Sequence, residues 1–172
     1  MTEEEIKREV QEILDETELL LVPVEIIKIA NYYGFSVFEF DMEDEVSGMI
    51  LVNDNTIEKY GTNKIIVVNS NHSSTRKRFT VAHELAHYII QGKPRKCYAH
   101  RDSGVYNSEE REANSFASAL LMPEDDLRSF IDSYEVHYGN KPTALNAVKL
   151  VMMRYNVSQS AAQVRLIKLG II

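Results

Sequence analysis

The sequence predicts an α+β fold, mostly helical with a small three-stranded sheet. Two observations predict it. Three short runs rich in β-branched and aromatic residues, "FSVFEF", "SGMILVND" and "KIIVVN", all fall between residues 35 and 69. On both sides of them, apolar residues recur at helical spacing. Helices gathered around one small sheet, rather than alternating with its strands, are the α+β arrangement.

The elements follow in order. Residues 3 to 18 place Ile6, Val10, Ile13 and Leu14 on one helical face. Pro23 suits the first turn of a second helix, "VEIIKIANYYG", which stops at Gly34. "FSVFEF" alternates as a strand, "DMEDE" turns, and "SGMILVND" forms the second strand. "NTIEKYGTN" reads as a loop and "KIIVVN" as a short buried strand. "NSNHSST" offers N-caps for a helix running to about Gly92 and Pro94. "KPRKCYAHRDSGVY" reads as a loop of the length that often carries function. A helix from about Asn107 to Met122 ends at Pro123, and "PEDDLRSFIDSY" begins another. After the break at "GNKP", two more helices cover about 143–155 and 158–169.

At 172 residues, with 44% hydrophobic and 26% charged, the chain can bury a core of its own. No stretch approaches the ~20 apolar residues that span a bilayer. The acidic, amphipathic start "MTEEEIKREVQEILDE" resembles neither a signal nor a transit peptide. A single cysteine, Cys97, excludes an internal disulfide framework and fits a reducing compartment, so a cytoplasmic location is expected. The net charge of −7 is unevenly spread: no acid follows Glu135, while Lys141, Lys149, Arg154, Arg165 and Lys168 do. An acidic body argues against nucleic acid binding over the whole surface. The basic tail could meet an acidic partner or DNA, or fold back onto the acidic body.

The chemistry concentrates in "RFTVAHELAHYIIQ", residues 78 to 91. Residues i and i+4 of a helix share a face, so His83 and His87 can aim both imidazoles at one ion, with Glu84 beside them as a base for water. The apolar stripe is Phe79, Ala82, Leu85, Ala86, Ile89 and Ile90. By helical projection His83 lies about 95° from its centre and His87 about 135°, which suits a cleft wall. The plain alternative is a pair of core or surface histidines. A catalytic zinc takes three protein ligands and keeps one position open. The next helix offers Glu109, Glu110 and Glu112, the first two about 50° from its apolar stripe and the third about 108°. Periodicity favours Glu109 or Glu110 without choosing between them, and Asn107 with Glu110 is also a capping-box pattern. Tyr88, Tyr98, His100 and Tyr106 are candidate oxyanion donors by closeness in sequence. Cys97 with His100 is not expected to add ligands, and His72 and His137 read as surface residues.

"RFTVAHELAHYII", "EREANSFASALLMP" and the C-terminal "YNVSQSAAQVRLIKLGI" together resemble the ImmA/IrrE family of zinc metallopeptidases. The resemblance covers most of the chain from about residue 20. It implies a single metallopeptidase domain over 1–172, with a zincin-like core at about 20–135 and a C-terminal helical pair at about 140–172 packed on it. It also implies Zn²⁺ held by His83, His87 and Glu110, Glu84 as catalytic base, and Asn114, one turn after Glu110, as a supporting residue. Family members act on helix-turn-helix repressors of mobile elements or stress loci. With no DNA-binding segment ahead of the metallopeptidase region, this chain is expected to meet such a repressor as a separate protein and relieve repression by cutting it. Two rival readings differ in class. One is an anti-repressor that binds without cutting, against which the intact Glu84 argues. The other is a DNA-binding regulator using "VSQSAAQVRLIKLG", against which the many apolar residues of the last two helices argue.

Overall fold

A computed structural model describes residues 1–19, 21–91, 98–101 and 108–172. The chain divides into two compact units, Glu25–Ala117 and Met1–Val24 with Ser118–Ile172. No described helix is long and apolar enough to cross a membrane.

The first unit is built on a sheet. Strands β1 (Ser36–Phe40), β2 (Val46–Val52), β3 (Lys64–Asn69) and β4 (Tyr98–Arg101) stand in the order β1-β3-β2-β4. β3 pairs parallel with β1, placing Ser36 beside Ile65, and antiparallel with β2, placing Gly48 beside Val68. The continuous apolar run of β3 follows from this central position, with Ile65, Ile66, Val67 and Val68 all buried. The three expected strands are present. β4 adds a fourth from a stretch read as loop, pairing antiparallel with β2. Its four residues are too few and too mixed to show a period, and the open edge of β2 supplies the hydrogen bonds that define it. The β2–β3 connection also differs from the expected loop. It holds a 3₁₀ turn at Asp54–Thr56 and a one-turn helix, α3 (Ile57–Tyr60), closed by Gly61 at φ 72°. The acidic turn after β1 is tied down by buried Asn69, whose Nδ2 donates to the carbonyls of Glu43 and Val46 at 3.0 and 2.9 Å.

Helices α2 (Ile26–Tyr32) and α4 (Ser74–Gln91) lie in this unit, in contact with each other, and α4 packs on β2 and β3. Near its start, Arg76 Nη2 donates to Ser47 Oγ at 2.9 Å and Lys77 Nζ to Glu39 Oε2 at 2.6 Å. Further along, Lys64 Nζ donates to Tyr88 Oη at 2.7 Å and to the Tyr33 carbonyl at 2.9 Å. α4 is therefore pinned to the sheet at two separate levels. Helix α5 (Ser108–Leu121) faces the histidines with its first turns, and its residues from Ser118 onward belong to the second unit.

That second unit is helical: α1 (Glu3–Thr17), α6 (Glu124–Tyr138), α7 (Ala144–Tyr155) and α8 (Gln159–Lys168). Thr2 and Glu5 form a reciprocal capping box on α1, while Thr143 and Ser158 cap α7 and α8. Ile6, Val10, Ile13 and Leu14 are buried, as their spacing predicts. Asp126 of α6 accepts from Arg154 Nη2 at 2.8 Å and from the Tyr155 hydroxyl, joining α6 to α7. The basic tail meets acids of its own unit: Lys168 Nζ lies 2.6 Å from Glu3. Arg165 is only 3% exposed, and its Nε donates to the Met122 carbonyl at 3.2 Å.

Candidate metal centre

α4 forms because its apolar positions repeat every three or four residues and bury Val81, Ala82, Leu85 and Ala86. That register sets His83 and His87 one turn apart at the edge of the buried face, each 8% exposed, with Glu84 fully buried beside them. α5 buries Ala113, Phe116 and Ala117, and the same register turns Glu110 and Asn114 towards α4. Glu109 is exposed and Glu112 half-buried.

The donor atoms converge. His83 Nε2 and His87 Nε2 lie 3.1 Å apart, with their rings nearly perpendicular at 81°. Glu110 Oε2 stands 3.2 Å from His83 Nε2, and its Oε1 stands 3.4 Å from His87 Nε2. Two ligands about 2.05 Å from a zinc ion at the tetrahedral angle would be about 3.3 Å apart. The two histidine nitrogens stand near that spacing, and each has one of the two Glu110 oxygens at a similar distance, so the three side chains are close enough to share one small ion. Among the described residues, His83, His87 and Glu110 are the group of three such side chains able to share one.

Behind the donors, Asn114 Oδ1 lies 3.0 Å from His83 Nδ1. An amide oxygen only accepts, so Nδ1 carries the proton and Nε2 presents its lone pair to the cluster. Phe79, one turn earlier, stacks on the His83 ring at 6.5 Å between centroids. Burial, and secondly the charge of Glu110, push the Glu84 carboxyl well above the usual carboxylate range. A divalent cation among the three donors would oppose that shift.

The other candidates separate. The Tyr88 hydroxyl is engaged by Lys64, in a cluster where Lys64 also lies over the Phe35 and Tyr88 rings. Tyr98 and His100 fall in β4, opposite Ile50 and Gly48 of β2. Cys97, Tyr106 and Asn107 lie outside the described residues. His72 Nε2 is 3.3 Å from the Asp44 carbonyl, beside the acidic turn, and His137 packs on Tyr138. Sequence reading passed over the contact between Gly48 of β2 and Thr80 of α4. The available signal was a glycine inside a β-branched strand, which often marks close backbone approach.

Comparison with known proteins defines the class. The family model described as IrrE N-terminal-like domain, Peptidase_M78, matches residues 30–167, and the chain belongs to this family of metal-dependent peptidases. Over 99 residues the chain is 29% identical to "Uncharacterized immunity region protein 2" of Bacillus phage phi105, covering 56% of this chain and 58% of that protein. It thus spans a little over half the length of that curated relative. A "Mycobacterium tuberculosis transcriptional regulator" matches in fold with a TM-score of 0.59 at 16% identity, over 95% of this chain and 46% of the other.

Proposed function

We propose that this protein is a zinc-dependent, site-specific endopeptidase that cuts a helix-turn-helix repressor and so relieves repression. The observation that carries the reading is the spacing of 3.1, 3.2 and 3.4 Å among His83, His87 and Glu110. In this reading those residues hold the ion, and Asn114 keeps His83 in the ligating tautomer. When bound, zinc supplies Lewis acidity, which lowers the pKa of a water and polarises a scissile carbonyl. Glu84 takes the proton of the attacking water and returns it to the leaving amine.

The choice of a repressor as substrate draws on the similarity to an immunity-region protein of a phage. Direct DNA binding by the C-terminal helices gains little support, because Arg165 is buried and Lys168 is paired with Glu3. The test pairs zinc-loaded wild type with zinc-loaded Glu84→Gln, each incubated with the helix-turn-helix repressor encoded beside the gene. Intact mass should reveal one defined cut, made by wild type alone. A stable complex without a cut by either protein would instead indicate an anti-repressor that acts by binding.

A further inference from the structure

We propose that Gly48 and Thr80 are positioning residues for the metal site, setting how closely α4 lies on the sheet and hence where His83 stands. This rests on the proposal that His83, His87 and Glu110 hold a metal, and adds two residues outside that donor set.

Gly48 sits inside β2, in "VSGMILV", a strand otherwise made mostly of bulky apolar residues. Its backbone does not call for glycine, since among the described residues the positive-φ glycines are Gly34, Gly61, Gly139 and Gly170. What the position uses is the missing side chain. A Cβ there would stand 2.5 Å from Thr80 Cγ2 and 2.6 Å from the Val67 carbonyl oxygen, closer than real carbon atoms come. Helix and strand therefore meet at a distance that only glycine permits.

Thr80 is held to that contact. It is 5% exposed, and its hydroxyl donates to the Arg76 carbonyl at 3.0 Å, which fixes the rotamer and turns the methyl to the strand. The Arg76 to Ser47 bond at 2.9 Å lies alongside, at the irregularity between Val46 and Gly48 in the β2–β4 pairing. Thr80 precedes His83 by three residues and Glu84 by four, so it occupies the same helix face one turn earlier. Farther on, α4 is tied to β3 by Lys64 and Tyr88 at 2.7 Å. Lifting α4 at Thr80 therefore tilts it about the Tyr88 tie, and His83, nearer the lifted end, moves more than His87. Close-packed interiors transmit such shifts, and metal–ligand distances tolerate only about 0.2 Å.

The experiment measures zinc affinity by chelator competition, alongside the melting temperature of each apo protein. Gly48→Ala and Thr80→Ile, which crowd the contact from opposite sides, should each bind zinc at least about tenfold more weakly than wild type while remaining folded. Gly48→Ala/Thr80→Ser should recover part of that loss, because serine removes the methyl and keeps the hydroxyl. A merely structural pair would lower the melting temperature and leave the affinity of the folded protein unchanged. Wild-type affinity in folded Gly48→Ala overturns the inference, and folded Thr80→Ile decides it in the same way if the alanine variant does not fold. Wild type that takes up no zinc would sink the metal site itself, and this inference with it.

Discussion

At His83 the two ring nitrogens have different tasks: Nδ1 donates to Asn114 at 3.0 Å, and Nε2 faces His87 and Glu110. Asn114→Ala should therefore weaken zinc binding about 10- to 100-fold while leaving all three donors in place. Chelator competition on the folded variant checks it, and unchanged affinity would make Asn114 an ordinary helix residue. Glu84→Gln should behave oppositely, keeping zinc and losing about 10²- to 10⁴-fold in cleavage rate. Metal content and single-turnover rates measured together test that split. Both histidines were legible because i, i+4 spacing has one geometric meaning on a helix. Glu110 was legible only as one of two, since Glu109 and Glu110 project about equally far from the apolar stripe. The resemblance chose Glu110, and it is Glu110 that stands beside the histidines. Tyr88 shows the limit of reading by chain proximity: one residue from His87, its hydroxyl turns to Lys64 instead.

Among the elements, the long helices were legible from periodicity and caps, both of which are local, whereas one-turn α3 is too short to show a period. β4 was not, because its pairing with β2 is a long-range property absent from the four residues themselves. The junction of α6 and α7 was equally invisible, since Asp126 and Arg154 are 28 residues apart. It carries a pH signature. Burial opposes ionisation of Asp126, but the Arg154 and Tyr155 hydrogen bonds outweigh it and hold the carboxyl below its ordinary value. Burial, then Asp126, raise the Tyr155 hydroxyl. A depressed carboxyl stabilises above its unfolded pKa of about 3.9, and that contribution fades as pH falls through the folded value. A raised phenol stabilises below about 10 and loses its contribution as pH rises further. The junction should thus be at full strength between about pH 4 and 10. Arg154→Ala should lower stability by about 1 kcal/mol there, a small figure because both partners are about one-third exposed (34% and 35%). Urea titrations at pH 7 and pH 3 test this, and a difference of equal size at both would contradict it.

Over the whole molecule, the charge asymmetry was visible in the sequence, but the destination of the basic tail was not. Lys168 meets Glu3, and Arg165 is buried where desolvation lowers its pKa against the pull of Glu124 and Glu3. Arg165→Ala should cost about 1–3 kcal/mol of stability through lost packing and the bond to Met122. A salt-dependent loss of DNA binding with no loss of stability would reverse that reading. Metal binding links to the stability of the unit that carries the three donors: free zinc at 100 times its Kd should add about 2.7 kcal/mol, reversed by a chelator.

The most direct test is zinc stoichiometry by native mass spectrometry, on wild type, His87→Ala and Glu110→Ala. One zinc per wild-type chain, lost from both folded variants, is the predicted result. Zinc absent from wild type, or kept undiminished by either variant, would contradict a site formed by His83, His87 and Glu110.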